Sequence, residues 1–333
     1  MRLPWRDGRQ SLPNLSWYSG SGFSAKRKRV SIRNENDRLR WQSKAVLLLV
    51  LPWTAANVVL QAHWWFTQVP SVAWTTLGIS GIFGLIVWKM RAGTAGAALT
   101  GALITASLMF STTKYPYEWS WLHGGLMPLL AVFLLTYAAT KIGRAKKERM
   151  GTAESKRGRN AAQVAANLGV AALVSFPFGA ITPDKDLIDL LSTMTAFVAL
   201  AALAEAAADT VSSEIGQVFG GQPRLIITLR RVEPGIDGGI TIAGTLSGAL
   251  AALLVSAVGF IALVGWEDLP KHWVALVLCT AGGIFGLLFD SLLGATLERR
   301  GWLNNDAVNF LSTVSAVLFP VAAIAVLALH FRV

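Results

Sequence analysis

The chain has 333 residues, of which 53% are hydrophobic and 15% are charged. This balance is too apolar for a soluble domain of such length and is typical of a helical bundle that lies in lipid. The formal net charge is +11, but the basic residues are spread over the N-terminal segment and the short polar segments, which argues against a nucleic-acid-binding protein. The single cysteine, Cys279, excludes an intrachain disulfide and a thiolate metal cluster.

Residues 1–43 are polar and basic, with four consecutive cations at 26–29. They contain no apolar core of the kind that a cleaved signal peptide requires. We predict a mobile cytosolic tail whose charge fixes the topology of the chain. A contact with an anionic lipid surface is the alternative role.

The remaining chain, residues 44–333, alternates apolar stretches with short polar segments. A helix needs about 20 apolar residues to cross the hydrocarbon layer, and lipid cannot satisfy exposed backbone groups. We therefore predict an all-α fold, a polytopic transmembrane helix bundle of about nine spans. The predicted spans are 44–66, 71–89, 93–112, 121–141, 161–182, 187–209, 240–264, 272–292 and 308–330.

The Lys and Arg residues of the polar segments are distributed asymmetrically. With the basic tail placed in the cytosol, the clusters at 89–91, 141–159, 224–231 and 299–300 are cytosolic as well. The opposite segments contain only Lys114, Lys185 and Lys271. The positive-inside rule thus predicts a cytosolic N-terminus and, with nine spans, an extracytoplasmic C-terminus.

Carboxylates within spans are costly and usually face a polar interior, so they indicate function. Glu205 and Asp209 lie one turn apart at the end of the sixth span, and Asp290 ends the eighth. Glu214 lies about 140° around the helix from Asp209, so it joins the same site only if the helix breaks near Ser212.

Amide side chains mark the starts of two other spans. The fifth span begins with Gly158-Arg159-Asn160, followed by Gln163 and Asn167 along one helical face. This helix N-terminus is suited to an anion. Asn304, Asn305, Asp306 and Asn309 lead into the ninth span. Asn305 or Asp306 is either an N-cap or part of a site.

The segment between the sixth and seventh spans combines arginines with glycines, from Pro223-Arg224 through Arg230-Arg231 to Gly239. Arginines bind phosphate oxygens in bidentate fashion, and glycines let backbone N–H groups converge on an anion. The alternative is an ordinary turn with topogenic arginines. Together with the carboxylates, the segment indicates phosphoryl or nucleotidyl transfer. The P-loop motif does not occur in the chain.

The predicted topology places all four histidines away from these carboxylates, at His63, His123, His272 and His330. A site without an imidazole base favours an acceptor that needs no deprotonation, such as a phosphomonoester, over an alcohol. A carboxylate could still serve as the base for an alcohol.

In this order, the blocks at 158–163, 205–216, 223–239, 290–295 and 304–309 resemble the phytyl-phosphate kinase family of the vitamin E pathway. They are similar, more distantly, to CTP-dependent polyprenol kinases and CDP-diacylglycerol synthases. The resemblance covers about residues 76–330, and the motifs lie within 158–310. It implies that residues 44–333 form a catalytic domain: a CTP-dependent, Mg²⁺-dependent kinase that converts a prenyl monophosphate, such as phytyl phosphate, to the diphosphate at the cytosolic membrane face.

The resemblance also implies roles for individual residues. Asp209, Glu214 and Asp290 are expected to hold Mg²⁺ and, together with Arg231, to carry catalysis. The residues expected to bind the nucleotide are Arg159, Asn160, Gln163, Arg224, Arg230, Gly235, Asp237, Gly238, Gly239, Asn305, Asp306 and Asn309. The expected partners are the lipid bilayer, the prenyl phosphate and a nucleoside triphosphate.

Three other functions are compatible with the same residues. Attack at the α-phosphorus of CTP would make the protein a cytidylyltransferase. A cation-coupled transporter would use Glu205, Asp209 and Asp290 to bind a proton or cation. A non-catalytic membrane scaffold would leave the paired carboxylates and arginines without a role. The sequence does not indicate an oligomeric state.

Overall fold

The computed structural model describes residues 39–113, 124–175 and 185–331. The basic run at 26–29 and the rest of the predicted tail before residue 39 lie outside this part of the chain, as do Lys114 and His123. Parts of the predicted spans 121–141 and 161–182 also lie outside it.

The described residues form ten α-helices and two very short strands. The first helices are α1 (Arg40–Gln68), α2 (Pro70–Lys89), α3 (Ala95–Thr112), α4 (Leu126–Lys141), α5 (Arg144–Met150) and α6 (Ala161–Val174). They are followed by α7 (Lys185–Phe219), the antiparallel pair β1 (Arg224–Leu225) and β2 (Gly239–Ile240), α8 (Ile242–Val264), a 3₁₀ turn (Leu269–Lys271), α9 (Trp273–Leu293), a π-helical turn (Gly294–Glu298) and α10 (Asn305–Phe331).

Seven helices within the described part of the chain are long and apolar enough to cross a membrane: α1, α2, α3, α7, α8, α9 and α10. The number rises to eight if α4 and α5, which meet at a bend of 64°, form one span. Helix α6 has 14 residues, fewer than the 17 to 25 that a span usually needs. The helical, membrane-spanning fold is confirmed, and the count of nine spans and the orientation of the termini stay predictions.

Helix α7 is the centre of the bundle and packs against α4, α6, α8, α9 and α10. Its middle is built from small side chains that are fully buried, including Ala201, Ala204 and Ala208. Glycines on the neighbouring helices face them. A Cβ atom on Gly283 would lie 2.9 Å from the Cβ of Ala204, and one on Gly248 would lie 2.7 Å from the carbonyl oxygen of Ala208. Small residues therefore let α8 and α9 approach the carboxylate-bearing part of α7 closely.

The polar segments of the chain contact one another at one end of the bundle. The backbone N–H of Thr94 donates to the carbonyl of Arg159 at 2.9 Å, and the side chain of Asn304 donates to the carbonyl of Leu39 at 2.9 Å. A Cβ atom on Gly235 would lie 2.6 Å from the side chain of Thr152. We call this end, formed by residues 90–94, 142–160, 220–241 and 294–306, the charged end.

A buried lysine fastens α5 to α7 at the charged end. The side chain of Lys147 is 1% exposed and forms an ion pair with Glu214. Its ammonium group also donates to the carbonyls of Ala139 and Thr140, at 3.0 and 2.9 Å. These carbonyls lie in the last turn of α4, where no intrahelical donor is available. Lys147 thus holds the bend between α4 and α5 against the end of α7.

This pair predicts a coupled effect on stability. We expect Lys147→Met and Glu214→Met each to lower the free energy of unfolding by about 3–5 kcal/mol, because each leaves a buried charge without its partner. The double variant should recover part of that loss. Denaturant unfolding of the purified protein in detergent measures the coupling.

The exposed pair of Arg144 and Glu148, one turn apart on α5, provides the control. Glu148→Gln should change the free energy of unfolding by less than about 1 kcal/mol, because solvent screens an exposed ion pair. Strictly additive effects of the Lys147 and Glu214 substitutions would contradict the assigned role of the buried pair.

Candidate functional site

Glu205 is the most deeply buried carboxylate of the bundle's polar centre, with 1% of its surface exposed. It accepts hydrogen bonds from Ser312 Oγ and Thr313 Oγ1 of α10, each at 2.7 Å. A Cβ atom on Gly286 of α9 would lie only 2.5 Å from the Cγ of Glu205. The glycine thus makes room for the carboxylate between α7, α9 and α10.

Asp209 lies one turn further along α7, toward the charged end. Arg159, just before α6, lies within electrostatic range of Asp209. Its Nη2 atom donates to the Oγ1 of Thr210 at 3.0 Å. The backbone of Arg159 is held by the turn between α2 and α3, since its N–H donates to the carbonyl of Ala92 at 3.0 Å. The structure therefore brings the predicted residues Arg159 and Asp209 together.

Asp290, near the end of α9, lies within electrostatic range of Asp209, Glu205 and Glu298. The amide of Asn309 joins it to α6. In the orientation that satisfies both of its amide atoms, Asn309 donates to Oδ2 of Asp290 at 3.2 Å and accepts from Nδ2 of Asn167 at 3.1 Å. Two of the predicted site residues, Asp290 and Asn309, are thus in direct contact.

Glu298 belongs to this cluster, although it was not among the residues predicted from the sequence. It ends the π-helical turn that follows α9 and lies within electrostatic range of Asp209, Asp237 and Asp306. In the sequence it is one acidic residue beside Arg299 and Arg300, which were interpreted as topogenic. The π-helical turn that places it is not apparent from the sequence.

The glycine-rich segment packs directly on the π-helical turn that follows α9. Gly238 has a φ of +74°, and a Cβ atom on it would lie 2.5 Å from the backbone N of Ala295. This contact brings Asp237 toward Glu298 and Arg299. Asp237 keeps contact with solvent. Desolvation by the surrounding protein nevertheless raises the pKa of its carboxyl group, and the nearby Arg299 guanidinium group opposes that rise.

The three predicted phosphate-binding arginines, Arg224, Arg230 and Arg231, are exposed on the short strand pair and the turn it encloses. Arg224 donates through Nη1 to the carbonyl of Leu229 at 3.1 Å. The arginines that the structure places within range of site carboxylates are Arg159 and Arg299. Of these two, Arg159 was predicted from the sequence.

The expectation that Glu214 could join Asp209 requires a correction. Helix α7 runs from Lys185 to Phe219 as one α-helix, so the break near Ser212 that would turn Glu214 toward the site does not occur. Glu214 instead pairs with Lys147.

The predicted amide and N-cap residues also have defined structural partners. Asn160 and Gln163 form a capping box at the start of α6, in which each side chain accepts a hydrogen bond from the backbone N–H of the other residue.

At the start of α10 the cap is Asn304, whose Oδ1 accepts from the N–H of Ala307 at 2.9 Å. Asn305 and Asp306 are therefore not the cap. Asp306 accepts a hydrogen bond from Ser43 of α1 at 2.6 Å.

The donor set suits a cation that is shared with phosphate groups. Among the residues that the structure describes, no three acidic, histidine or cysteine side chains form a metal-binding group. Mg²⁺ is commonly held by one or two carboxylates together with substrate phosphates and water. Asp209 and Asp290 are partly buried and lie within electrostatic range of each other, with Arg159 near Asp209, and two such carboxylates fit that kind of site.

Comparison with known proteins gives relatives of similar length. The chain is 36% identical to the uncharacterized membrane protein MJ0933 of Methanocaldococcus jannaschii over 242 residues, which are 70% of this chain and 86% of that protein. It is 26% identical to Protein VTE6, chloroplastic, of Arabidopsis thaliana over 90% of this chain and 88% of that protein. It is 34% identical to Protein PGR of the same plant over 52% of this chain and 64% of that protein.

No solved structure matches the chain. The model of the family described as integral membrane protein DUF92 matches residues 78–317. That range contains α3 to α9 and all the predicted site residues. The chain therefore belongs to the DUF92 family of integral membrane proteins.

Proposed function

We propose that the protein is a nucleotide-dependent kinase that phosphorylates a prenyl monophosphate to the diphosphate at the charged end of the bundle. The observation that carries this proposal is the convergence on Asp209 of groups from separate parts of the chain. Arg159, from before α6, and Asp290 and Glu298, from α9 and its π-helical turn, all lie within electrostatic range of Asp209. Phosphoryl transfer needs such a combination of carboxylates and an arginine, because catalysis rests on positioning and charge neutralisation.

Asp209 and Asp290 are the proposed carboxylates for the nucleotide-bound Mg²⁺, with Glu298 as an additional candidate. When bound, the ion would neutralise charge on the transferring phosphoryl group. The positive charge of Arg159 partly balances the negative charge of Asp209. The glycine-rich segment, which includes Asp237, packs on the π-helical turn that contains Glu298, so the proposed triphosphate would lie between that segment and the carboxylates. Three exposed arginines would bind the triphosphate from the solvent side, namely Arg224, Arg230 and Arg231.

The proposed acceptor is a phosphomonoester. One of its oxygens would attack the γ-phosphorus of CTP, forming the new P–O–P bond as the bond from that phosphorus to the β-phosphate oxygen breaks. The products are the prenyl diphosphate and CDP. A phosphomonoester is largely ionised near neutral pH, so this reaction requires no general base. Asn309 and Asn167 are placed to orient Asp290 rather than to move a proton.

Two further considerations support this proposal. The similarity to Protein VTE6 extends over nearly the whole of both chains, in agreement with the resemblance of the five sequence blocks to the phytyl-phosphate kinase family. The excess of basic residues in the segments of the charged end favours a cytosolic position for it, where nucleotides are available.

The direct test is product analysis with the purified protein in detergent, Mg²⁺, CTP and prenyl monophosphates. We expect the prenyl diphosphate and CDP in equal amounts. Diphosphate release with a CDP-linked lipid would instead identify a cytidylyltransferase. Absence of turnover with CTP, ATP, GTP and UTP in folded protein would contradict the proposal.

A matched pair of substitutions tests the role of Asp209. Asp209→Asn should lower kcat by at least about 10²-fold, because it removes a charge that the transition state requires. Asp268→Asn, in the exposed segment where Asp268 pairs with Lys271, should leave kcat unchanged. Thermal unfolding of both variants confirms that they are folded. Wild-type turnover by Asp209→Asn would refute the assigned role.

A further inference from the structure

A cavity of about 120 Å³ opens beside the carboxylate cluster, between α2, α3, α4 and α6. Ala206 of α7 forms part of its wall, one residue after Glu205. The interior surface is mainly apolar, with Val87, Leu129 and Leu168 among its lining residues. The carboxylates proposed to hold Mg²⁺ are not among its lining residues.

Helix α4 lines the cavity along one continuous face. The contributing residues are Leu129, Val132, Phe133, Thr136, Tyr137, Thr140 and Lys141. This spacing follows the three-to-four-residue repeat of a helical face, and at about 1.5 Å per residue the face is roughly 18 Å long. Its inner end is apolar, and its outer end is a lysine. The cavity is thus elongated and amphipathic.

Aromatic rings connect the two ends of this face. The ring of Phe83 on α2 meets that of Phe133 edge-on at 5.4 Å, and Phe133 stacks on Tyr137 at 5.7 Å. The ammonium group of Lys141 lies 4.9 Å from the centre of the Tyr137 ring. This arrangement offers a continuous apolar wall that ends at a cation.

The opening of the cavity is cationic. Arg91, Lys141, Arg144 and Arg159 all line it, together with one acidic residue, Glu154. Arg144 also pairs with Glu148 at 3.0 Å. Arg91 has a φ of +53°, a region that non-glycine residues rarely adopt and that often occurs at functional sites. Such an opening suits a dianionic headgroup, because clustered guanidinium groups bind phosphate in bidentate fashion.

Two residues link this cavity to the carboxylate cluster. Arg159 lines the opening and lies within electrostatic range of Asp209. Asn167 lines the wall and donates to Asn309, which in turn donates to Asp290. A phosphate held at the opening would therefore lie next to the groups proposed to bind the nucleotide.

From this arrangement we infer that the cavity is the binding site of the prenyl-phosphate acceptor. The single isoprenoid chain lies along the α4 face and the phosphate lies among Arg91, Lys141, Arg144 and Arg159. The inference rests on the proposed function for the identity of the acceptor. It adds a location for the isoprenoid chain of the acceptor and a set of phosphate-binding residues outside the glycine-rich segment. It also adds a residue that determines which isoprenoid chain length can bind.

Gly101 of α3 is that determinant. It lines the cavity, and a Cβ atom on it would meet nothing within 4 Å, so a larger side chain can enter the space without displacing the helix. Gly101 lies seven residues inside the N-cap Thr94, roughly 10 Å along the helix axis. A leucine there would obstruct the inner part of the cavity and leave the outer part open.

The experiment measures binding in the absence of nucleotide, so that it does not depend on turnover. Purified protein in detergent is titrated with geranyl, farnesyl and geranylgeranyl monophosphate, and Kd is obtained from the change in tryptophan fluorescence or from calorimetry. Gly101→Leu should raise the Kd of geranylgeranyl monophosphate by at least about tenfold, because buried methylene groups lose their contacts. The Kd of geranyl monophosphate should stay within about twofold of the wild-type value.

Gly78→Leu on α2 is the matched control. Gly78 is exposed, is not a cavity-lining residue, and a Cβ atom on it would also meet nothing within 4 Å. This variant should bind all three compounds as the wild type does. An equal effect of Gly101→Leu and Gly78→Leu, or an equal effect of Gly101→Leu on the short and long chains, would overturn the inference.

A second pair tests the phosphate end. Arg144→Gln should raise the Kd of each prenyl monophosphate by about tenfold without changing that of the corresponding alcohol, because only the phosphate uses the guanidinium group. Arg149→Gln, on the same short helix but away from the cavity, should have no effect. Competition by phosphatidic acid that is as effective as that of the prenyl phosphate would show a general anionic-lipid site and contradict the assigned occupant.

Failure of the proposed function remains distinguishable from failure of this inference. Chain-length-dependent binding that responds to Gly101→Leu, without turnover of any nucleotide, would retain the cavity as a prenyl-phosphate site and refute the kinase. If Gly101→Leu and the wild type turn over prenyl phosphates with the same chain-length preference, the proposed kinase activity stands. The proposed location of the isoprenoid chain is then refuted.

Discussion

The need to hold carboxylates inside a lipid-embedded bundle is the constraint on which the rest of the structure depends. A charged group in a span is tolerated only where it faces other polar groups or water. Glu205 meets this requirement through two hydroxyl groups of α10, which can reach it because Gly286 leaves space for the carboxylate. The glycines and alanines around α7 therefore serve the polar centre as well as the packing of the helices.

The helical architecture and part of the candidate site could be predicted from the sequence, because apolar stretches and carboxylates within them are local signals. Asp209, Asp290, Asn309 and Arg159 were identified, and the structure brings them together. What the sequence could not specify is geometry that depends on neighbouring segments. The continuation of α7 past Ser212 turns Glu214 away from Asp209, and its partner there, Lys147, lies 67 residues away in sequence.

The remaining differences have similar causes. Glu298 enters the site through a π-helical turn, which no periodic pattern in the sequence indicates. Asn304 is the cap of α10, although the two following residues are equally suitable by type. The cavity is formed by several helices together, so its lining residues appear in the sequence as ordinary apolar positions and its cations as ordinary topogenic charges. Lys141 and Arg144, for example, line the cavity but look like topogenic charges in the sequence.

The central claim is that the carboxylates of the charged end, Asp209 above all, bind a nucleotide together with Mg²⁺. The most direct measurement is the thermal stability of the purified protein with CTP, with and without Mg²⁺, because a ligand that binds only the folded state raises Tm. The account predicts a rise that requires Mg²⁺ and that is lost in Asp209→Asn. A rise of equal size without Mg²⁺ and in Asp209→Asn would contradict it.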